Sequence, residues 1–257
     1  MDVGALLEWY ERVRRPLPWR ATRDRWAVLV SEVMLQQTQV TRVLVAWPAF
    51  MQLFPTPAAA AAVPVGDVLR AWGRLGYPRR ARRLWEAAIM ITANGWPDDL
   101  RELPGVGRYT AGALAAQADD VDVAALDVNI RRVLERVEGR RLTDGQAHTA
   151  MIDVGAPLLG RDRLLALMDL GAAVCRSRDP DCASCPLFAR CSTRGVRPDE
   201  RRSRQPAFAG SFRERRGIVM ASLRAGPAPV PDLDAEALAS LVADGLAVVT
   251  GPTATLP

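Results

Sequence analysis

The chain contains no lysine. All 34 of its basic residues are arginine, set against 29 acidic ones, and there is a single histidine, His148. Without lysine there is no Schiff-base lysine, and no Walker-type lysine to hold a phosphate. One histidine excludes a His–His metal site and leaves a Ser-His-Asp triad only if His148 serves in it. Long apolar runs are missing too: no stretch of about 18 apolar residues suits a membrane span. The start, Met1-Asp2-Val3-Gly4, lacks the basic-then-apolar pattern of a secretory signal. These absences point to a cytoplasmic protein with no membrane partner, in which four cysteines are expected to be reduced rather than paired as disulfides.

What is present suits a packed protein. With 257 residues, 49% of them hydrophobic, the chain can build one large or two modest domains. A net charge of +5 is a mild pointer to a nucleic-acid partner. Helical spacing recurs at Val28-Leu29, Val33, Leu35-Gln36, Val40 and Val43-Leu44, at Val68-Leu69, Trp72 and Leu75, and at Ile130, Val133-Leu134 and Val137. Pro and Gly at Leu17-Pro18, Pro55-Thr56-Pro57, Gly76-Tyr77-Pro78, Trp96-Pro97 and Pro104-Gly105 mark short connectors. The expected fold class is all-α. Near residue 194 the composition shifts: Arg194, Arg197, Arg201, Arg202 and Arg204 form either a solvated basic linker or a phosphate-contacting arm. Beyond it, helices at 213–223 and 234–243 and a short strand at 246–249 resemble a reduced winged-helix element.

Four motifs carry chemistry. All four cysteines, Cys175, Cys182, Cys185 and Cys191, lie on one short stretch spaced C-x6-C-x2-C-x5-C. Structural zinc sites usually pair two CxxC knuckles, whereas four thiolates on one compact loop suit the corners of a [4Fe-4S] cubane; zinc and unligated thiols are the other readings. Leu103-Pro104-Gly105-Val106-Gly107-Arg108-Tyr109-Thr110-Ala111-Gly112 reads as a hairpin turn between helices. It is either a plain helix cap or a backbone N–H site for a phosphate oxygen. Asp127, ahead of the amphipathic stretch Val128–Leu134, is placed as an N-cap, where a carboxylate is held beside a helix dipole. In Ser31-Glu32-Val33-Met34-Leu35-Gln36-Gln37-Thr38-Gln39-Val40, the residues Glu32, Gln36 and Gln39 share one face of an apolar helix. That stripe is either exposed or the wall of a pocket, where burial would let Glu32 hold and deliver a proton. The acids Asp119 to Asp122 read as a solvated loop.

The helix with Glu32, the hairpin, the Asp127 motif and the four-cysteine loop, in that order, resemble the helix-hairpin-helix glycosylases that carry an iron–sulfur cluster. Within them the MutY-type adenine DNA glycosylases are most similar. The resemblance covers Trp9 to Arg194. It implies two helical domains with the DNA site in the cleft between them: a six-helix domain over 24–126, an iron–sulfur domain from 1–23 with 127–195, and a small C-terminal element with its basic linker over 196–257. It implies a [4Fe-4S] cluster on the four cysteines and base excision from mispaired double-stranded DNA by a monomer. Glu32 matches the glutamate that protonates adenine, and Asp127 the aspartate that stabilises the sugar cation. Tyr109 stands where bifunctional relatives have the lysine that nicks the strand, so simple hydrolysis to an abasic site is expected. Gly105, Val106 and Gly107 match the phosphate-binding hairpin; Gln36 matches a residue that probes the base stack; Arg20, Thr38, Tyr77, Asn129 and Asp169 match positions lining or supporting the site.

Two departures bear on the opposing base. Tyr77-Pro78 stands where relatives usually have Tyr-Tyr, and residues 196–257 do not resemble the Nudix-like recognition domain common in the family. Adenine excision is therefore better supported than strict preference for adenine opposite 8-oxoguanine. A mismatch thymine or uracil glycosylase is the competing enzyme reading, against which Glu32 argues; a non-catalytic iron–sulfur DNA-binding protein would need neither Glu32 nor Asp127.

Overall fold

The computed structural model describes residues 1–200 and 207–257. Arg201, Arg202 and Arg204 of the expected basic arm lie outside the described residues. The α-helices are α1 (Val3–Val13), α2 (Arg25–Leu35), α3 (Val40–Leu53), α4 (Pro57–Ala61), α5 (Val65–Trp72), α6 (Arg79–Asn94), α7 (Arg108–Asp119), α8 (Val128–Glu138), α9 (Asp144–Ile152), α10 (Gly160–Ala173), α11 (Phe212–Ala225) and α12 (Ala235–Ala243). Three short strands follow near the end: β1 (Ala228–Pro229), β2 (Val248–Thr250) and β3 (Thr253–Thr255). No helix among the described residues is long and apolar enough to cross a membrane.

The chain divides into two compact units. The first comprises residues 1–28 and 107–202, the second 29–106 and 203–257. These bounds fall elsewhere than the expected 1–23 with 127–195, 24–126 and 196–257, most plainly at α7 and at the C-terminal element. Helix α7 joins the cysteine-bearing unit, because its alanine face (Ala113, Ala116) packs into a core with Leu6 and Trp9 of α1, Ile130, Val133 and Leu134 of α8, and Leu164, Leu167 and Leu170 of α10. Each such large apolar side chain contributes about 1.5–3 kcal/mol on burial. The C-terminal element, in turn, belongs to the second unit rather than standing apart.

Local capping explains most element ends in the first unit. Asp2 Oδ1 accepts from the Ala5 amide (3.1 Å) at the start of α1, and Thr143 with Gln146 forms a reciprocal capping box at α9. The acids expected to form a solvated loop have work to do: Asp120 Oδ1 accepts from the Arg161 amide (3.1 Å) and Asp122 Oδ1 from the Gly160 amide (3.0 Å). They satisfy the first amides of α10, which would otherwise lack partners.

In the second unit α5 presents Val68, Leu69 and Trp72 inward, and α6 presents Ala81, Leu84, Ala88 and Ile91. Trp72 meets Phe50 of α3 edge to face, with ring centroids 6.3 Å apart. The C-terminal element forms α11, α12 and an antiparallel sheet in the order β1-β3-β2, with Val249 opposite Ala254. The helices expected at 213–223 and 234–243 and the strand expected near 246–249 are present, with more strand than expected. Two contacts fasten it. Asp244, at the end of α12, accepts from Arg79 and, through its carbonyl, from Arg82, both on α6, while Arg216 Nη2 reaches its Oδ2 at 2.5 Å. The Gly66 amide of α5 donates to the Pro257 carbonyl at 2.8 Å.

The second fastening depends on the absence of a side chain: a Cβ at Gly66 would stand 2.5 Å from the Pro257 carbonyl oxygen and 3.2 Å from Leu256 Cβ. Gly66→Ala is expected to lower stability by about 1–3 kcal/mol, measured by denaturant unfolding, and to raise protease sensitivity within 207–257 ahead of the helices of 29–106.

Candidate active site and cysteine loop

Asp127 is the N-cap of α8. Its Oδ1 accepts from the amides of Asn129 (2.9 Å) and Ile130 (2.6 Å), and its Oδ2 from the Asn129 side-chain amide (2.7 Å). Three donors and the helix dipole fix a half-buried carboxylate in one orientation. Asn129 Oδ1 accepts in turn from Arg132 Nη2 (2.9 Å), and the same guanidinium donates to the carbonyls of Gly171 (2.8 Å) and Cys175 (2.8 Å). Gly171 allows this approach: a Cβ there would lie 2.9 Å from Asn129 Cβ. The N-cap reading of Asp127 is met, and Asn129 joins it in one hydrogen-bonded set that runs to the cysteine loop.

The hairpin turns as its glycines suggest. Gly105 has φ 81°, which a side chain rarely adopts, and Gly107 starts α7 as an N-cap with no side-chain oxygen of its own. Val106 corrects the expectation. Its side chain is buried and its amide donates to the Leu103 carbonyl (3.0 Å), so the turn itself uses the N–H proposed for phosphate. Gly107 and Arg108 are exposed at the tip. Tyr109 is half-buried in the first turn of α7, its hydroxyl 3.8 Å from Met168 Sδ.

Glu32 is 4% exposed, beside the fully buried Ser31, which excludes the exposed-stripe reading for that residue. The stripe itself does not exist. Helix α2 ends at Leu35, Gln37 takes φ 55°, and α3 starts only at Val40, so Gln36 and Gln39 stand outside the helix that carries Glu32. Within that turn Gln36 is half-buried and Gln37 is exposed.

Arg80 is the residue that sequence reasoning missed. Its Nη1 donates to the carbonyls of Val33 (2.7 Å), Met34 (3.1 Å) and Gln36, closing the end of α2. Its Nη2 donates to Thr38 Oγ1 (3.0 Å) and to the carbonyls of Leu75 (3.4 Å) and Gly76 (3.1 Å). The guanidinium carbon stands 5.2 Å from the Trp72 ring centroid and 5.5 Å from that of Tyr77. Burial lowers its pKa to about 10, partly opposed by Tyr77, so it remains a cation at neutral pH. A helical-wheel reading of Arg79 to Arg83 shows a basic face and nothing that singles out Arg80.

Arg20, expected to line or support the site, forms a bidentate pair with Asp169 (2.7 and 2.8 Å), joined by Arg15 Nε at 2.6 Å. Asp169 is 1% exposed. Burial pushes its pKa up, but the hydrogen bonds and charges of Arg20 and Arg15 outweigh this and leave it below the ordinary 3.8. Arg161 ties the same segment down by donating to the carbonyls of Arg20 and Gln117, both at 2.5 Å.

The four cysteines are half-buried on the loop after α10. Burial raises Cys175, with Arg136 and Arg132 opposing it, and raises Cys185 to about 11, where the other three thiols add to the effect. The Cys185 thiol thus lies within electrostatic reach of the other three sulfurs. Donors are aimed at two of them: Arg136 Nη1 at Cys175 Sγ (3.4 Å) and the Arg194 amide at Cys191 Sγ (3.5 Å). Such donors suit anionic sulfur. The residues fit a group bound by four thiolates, although no three His, Cys, Asp or Glu side chains among the described residues converge on a single-ion position. Arg176, Arg178, Arg190 and Arg194 are exposed around the loop. Arg197, expected in the solvated arm, is instead 4% exposed and paired with Glu135 (3.3 Å) and Asp199 (2.5 Å).

The model of the HhH-GPD superfamily of base excision DNA repair proteins matches residues 30–151, a stretch that holds the hairpin and the capped Asp127 and ends before the cysteine loop. The adenine DNA glycosylase of Mycolicibacterium smegmatis is 42% identical over 267 residues, covering 94% of this chain and 90% of that protein. The human adenine DNA glycosylase is 37% identical over 212 residues, covering 74% of this chain and 39% of that protein. Among solved structures, a thermostable thymine-DNA glycosylase superposes with TM-score 0.68 at 27% identity, covering 75% of this chain and 94% of that one. An endonuclease III trapped on DNA superposes at 0.65 and 22% identity over 75% and 93%, a likeness of fold. The chain belongs to the adenine DNA glycosylase family within the HhH-GPD superfamily.

Removing the Asp169 carboxylate leaves the Arg20 charge buried without its partner. Asp169→Ala is expected to cost about 3–5 kcal/mol at pH 7 in denaturant unfolding. Because the folded pKa lies below the unfolded one, this stabilisation is fully present above about pH 4 and is lost as pH falls through the folded value. The wild-type and Asp169→Ala stabilities should therefore converge in acid.

Proposed function

We propose that this protein is a monofunctional adenine DNA glycosylase of base excision repair, hydrolysing the bond between adenine and deoxyribose in mispaired duplex DNA and leaving an abasic site. The observation that carries the reading is the Asp127 carboxylate, which three N–H donors hold as a fixed negative charge of the kind that stabilises a growing sugar cation. The sequence likeness to named adenine DNA glycosylases supports the substrate. An adenine inside a duplex is out of reach, so it is extruded first, and a mispaired one costs least to extrude.

Adenine leaves poorly as an anion. Glu32, carried on α2 and shielded from water, supplies a proton to the ring as the bond to C1′ breaks. Asp127 lowers the energy of the cation that remains, and water adds at C1′ to complete the hydrolysis. Tyr109 stands where an amine would be needed to attack the sugar. With no lysine in the chain, the strand is left intact. The hairpin at Gly105 and Gly107, with Thr38, Tyr77 and Asn129, contacts or supports the DNA; in the turn after α2 the exposed Gln37 is better placed to protrude than Gln36. The enzyme acts as a monomer in the cytoplasm.

We assign a [4Fe-4S] cluster to Cys175, Cys182, Cys185 and Cys191. The cluster supplies a fold-stabilising cross-link for the loop. The chain's own part is to bury the thiols, direct Arg136 and the Arg194 amide at sulfur, and present the exposed arginines of the loop to the DNA backbone.

Three measurements check this. Duplexes carrying adenine opposite 8-oxoguanine, guanine or thymine should lose adenine and break only after alkali; breakage without alkali, or release of thymine and no adenine, rejects the assignment in favour of a lyase or a thymine glycosylase. Glu32→Gln and Asp127→Asn should each slow single-turnover release about a hundredfold or more while leaving duplex binding intact. Cys182→Ser should lose iron and acid-labile sulfide together with soluble folded protein, and an iron-free variant that folds and cuts normally contradicts the structural role.

A further inference from the structure

Two turns of the second unit carry a non-glycine residue with positive φ and an exposed tip: Gln37 at 55° and Tyr77 at 49°. Each is a strained conformation that persists only where its surroundings fix it. One group touches both turns. The Arg80 guanidinium donates to Gln36 and Thr38 on either side of Gln37, and to Leu75 and Gly76 just before Tyr77. It also lies against the Tyr77 ring, while Trp72 Nε1 donates to the same Gly76 carbonyl at 3.0 Å. We infer that Arg80 is a positioning residue for mispair recognition, locking the Gln36–Thr38 and Gly76–Tyr77 turns to each other so that their tips enter the base stack in fixed register. The inference rests on the glycosylase reading, which makes these turns the DNA-probing ones.

Only a planar fork can serve here. The six acceptors flank the guanidinium on two sides, and an ammonium, with three N–H groups on one atom, cannot span them. Arg80 Nε is buried and finds no acceptor among the described residues, a cost that is tolerated so that both terminal nitrogens face the turns. Arg80 also closes α2 one turn beyond Glu32, so the probing turn and the acid-bearing helix share one end.

The test compares wild-type protein with Arg80→Lys on two duplexes, neither of which can be cut. One is fully paired; the other carries a tetrahydrofuran abasic analogue opposite guanine, flanked by 2-aminopurine. Arg80→Lys is expected to lower the affinity ratio of analogue to paired duplex about tenfold and to abolish the rise in 2-aminopurine fluorescence, with paired-duplex affinity held within about twofold. A folded Arg80→Lys protein with the wild-type ratio and signal overturns the inference, as does a wild-type protein that binds both duplexes equally. Should Arg80→Lys fail to fold, Thr38→Val, which removes the one side-chain acceptor, decides: a ratio lowered severalfold supports the inference and an unchanged ratio overturns it. Neither duplex requires chemistry, so a wild-type protein that discriminates the analogue but releases no adenine rejects the proposed function and leaves the positioning role standing.

Discussion

A buried guanidinium must find acceptors for its N–H groups, and this requirement organises much of the molecule. Helix ends supply unpaired carbonyls, and a chain whose cations are all arginine meets them with forks rather than points. Arg80 gathers the carbonyls at the end of α2, Arg132 those at the end of α10, and Arg161 those of Arg20 and Gln117. Each joins segments distant in sequence through bonds whose geometry is fixed by a rigid plane. Loss of one such side chain removes several joints at once, and a lysine in its place would restore only part of them.

Helix α8 shows how one element serves two purposes. Its apolar face, Ile130, Val133 and Leu134, lies in the core of the first unit, so its position is set by packing. Its polar face begins with Asp127 and continues through Asn129, Arg132 and Arg136 to the cysteine loop and Glu200, where Arg136 forms a two-point pair at 2.6 and 2.8 Å. The carboxylate assigned to the chemistry is thus mounted on rigid structure rather than on a loop, and the loop assigned to the cluster is tied to the same mount. Rigid support is what a site acting through charge placement requires.

The elements marked by periodicity and punctuation were the most legible. The helices around Val68–Trp72 and Ile130–Val137, the N-cap at Asp127 and the helix, helix and strand of the C-terminal element follow from spacing, Pro/Gly placement and a capping residue. What escaped depends on tertiary partners. The end of α2 at Leu35 has no glycine to announce it, since its carbonyls are closed by Arg80, far along the chain. Gln36 and Gln39 therefore looked helical, and Arg80 looked like one more charge on a basic face. Arg197 was misplaced for a related reason: a residue type suited to solvent or a ligand gives no sign in sequence that an internal acceptor already holds it. Charge runs mislead most: Asp120 and Asp122 are exposed yet hold the first amides of α10, and Arg197 is buried and paired three residues after the exposed Arg194.

The seating of Pro257 against Gly66 has a practical side. The main chain at Pro257 is hydrogen-bonded to α5 and packed where a methyl group on Gly66 would not fit, so a fluorescent or isotopic reporter placed on α5 would sense directly whether the C-terminal element is seated.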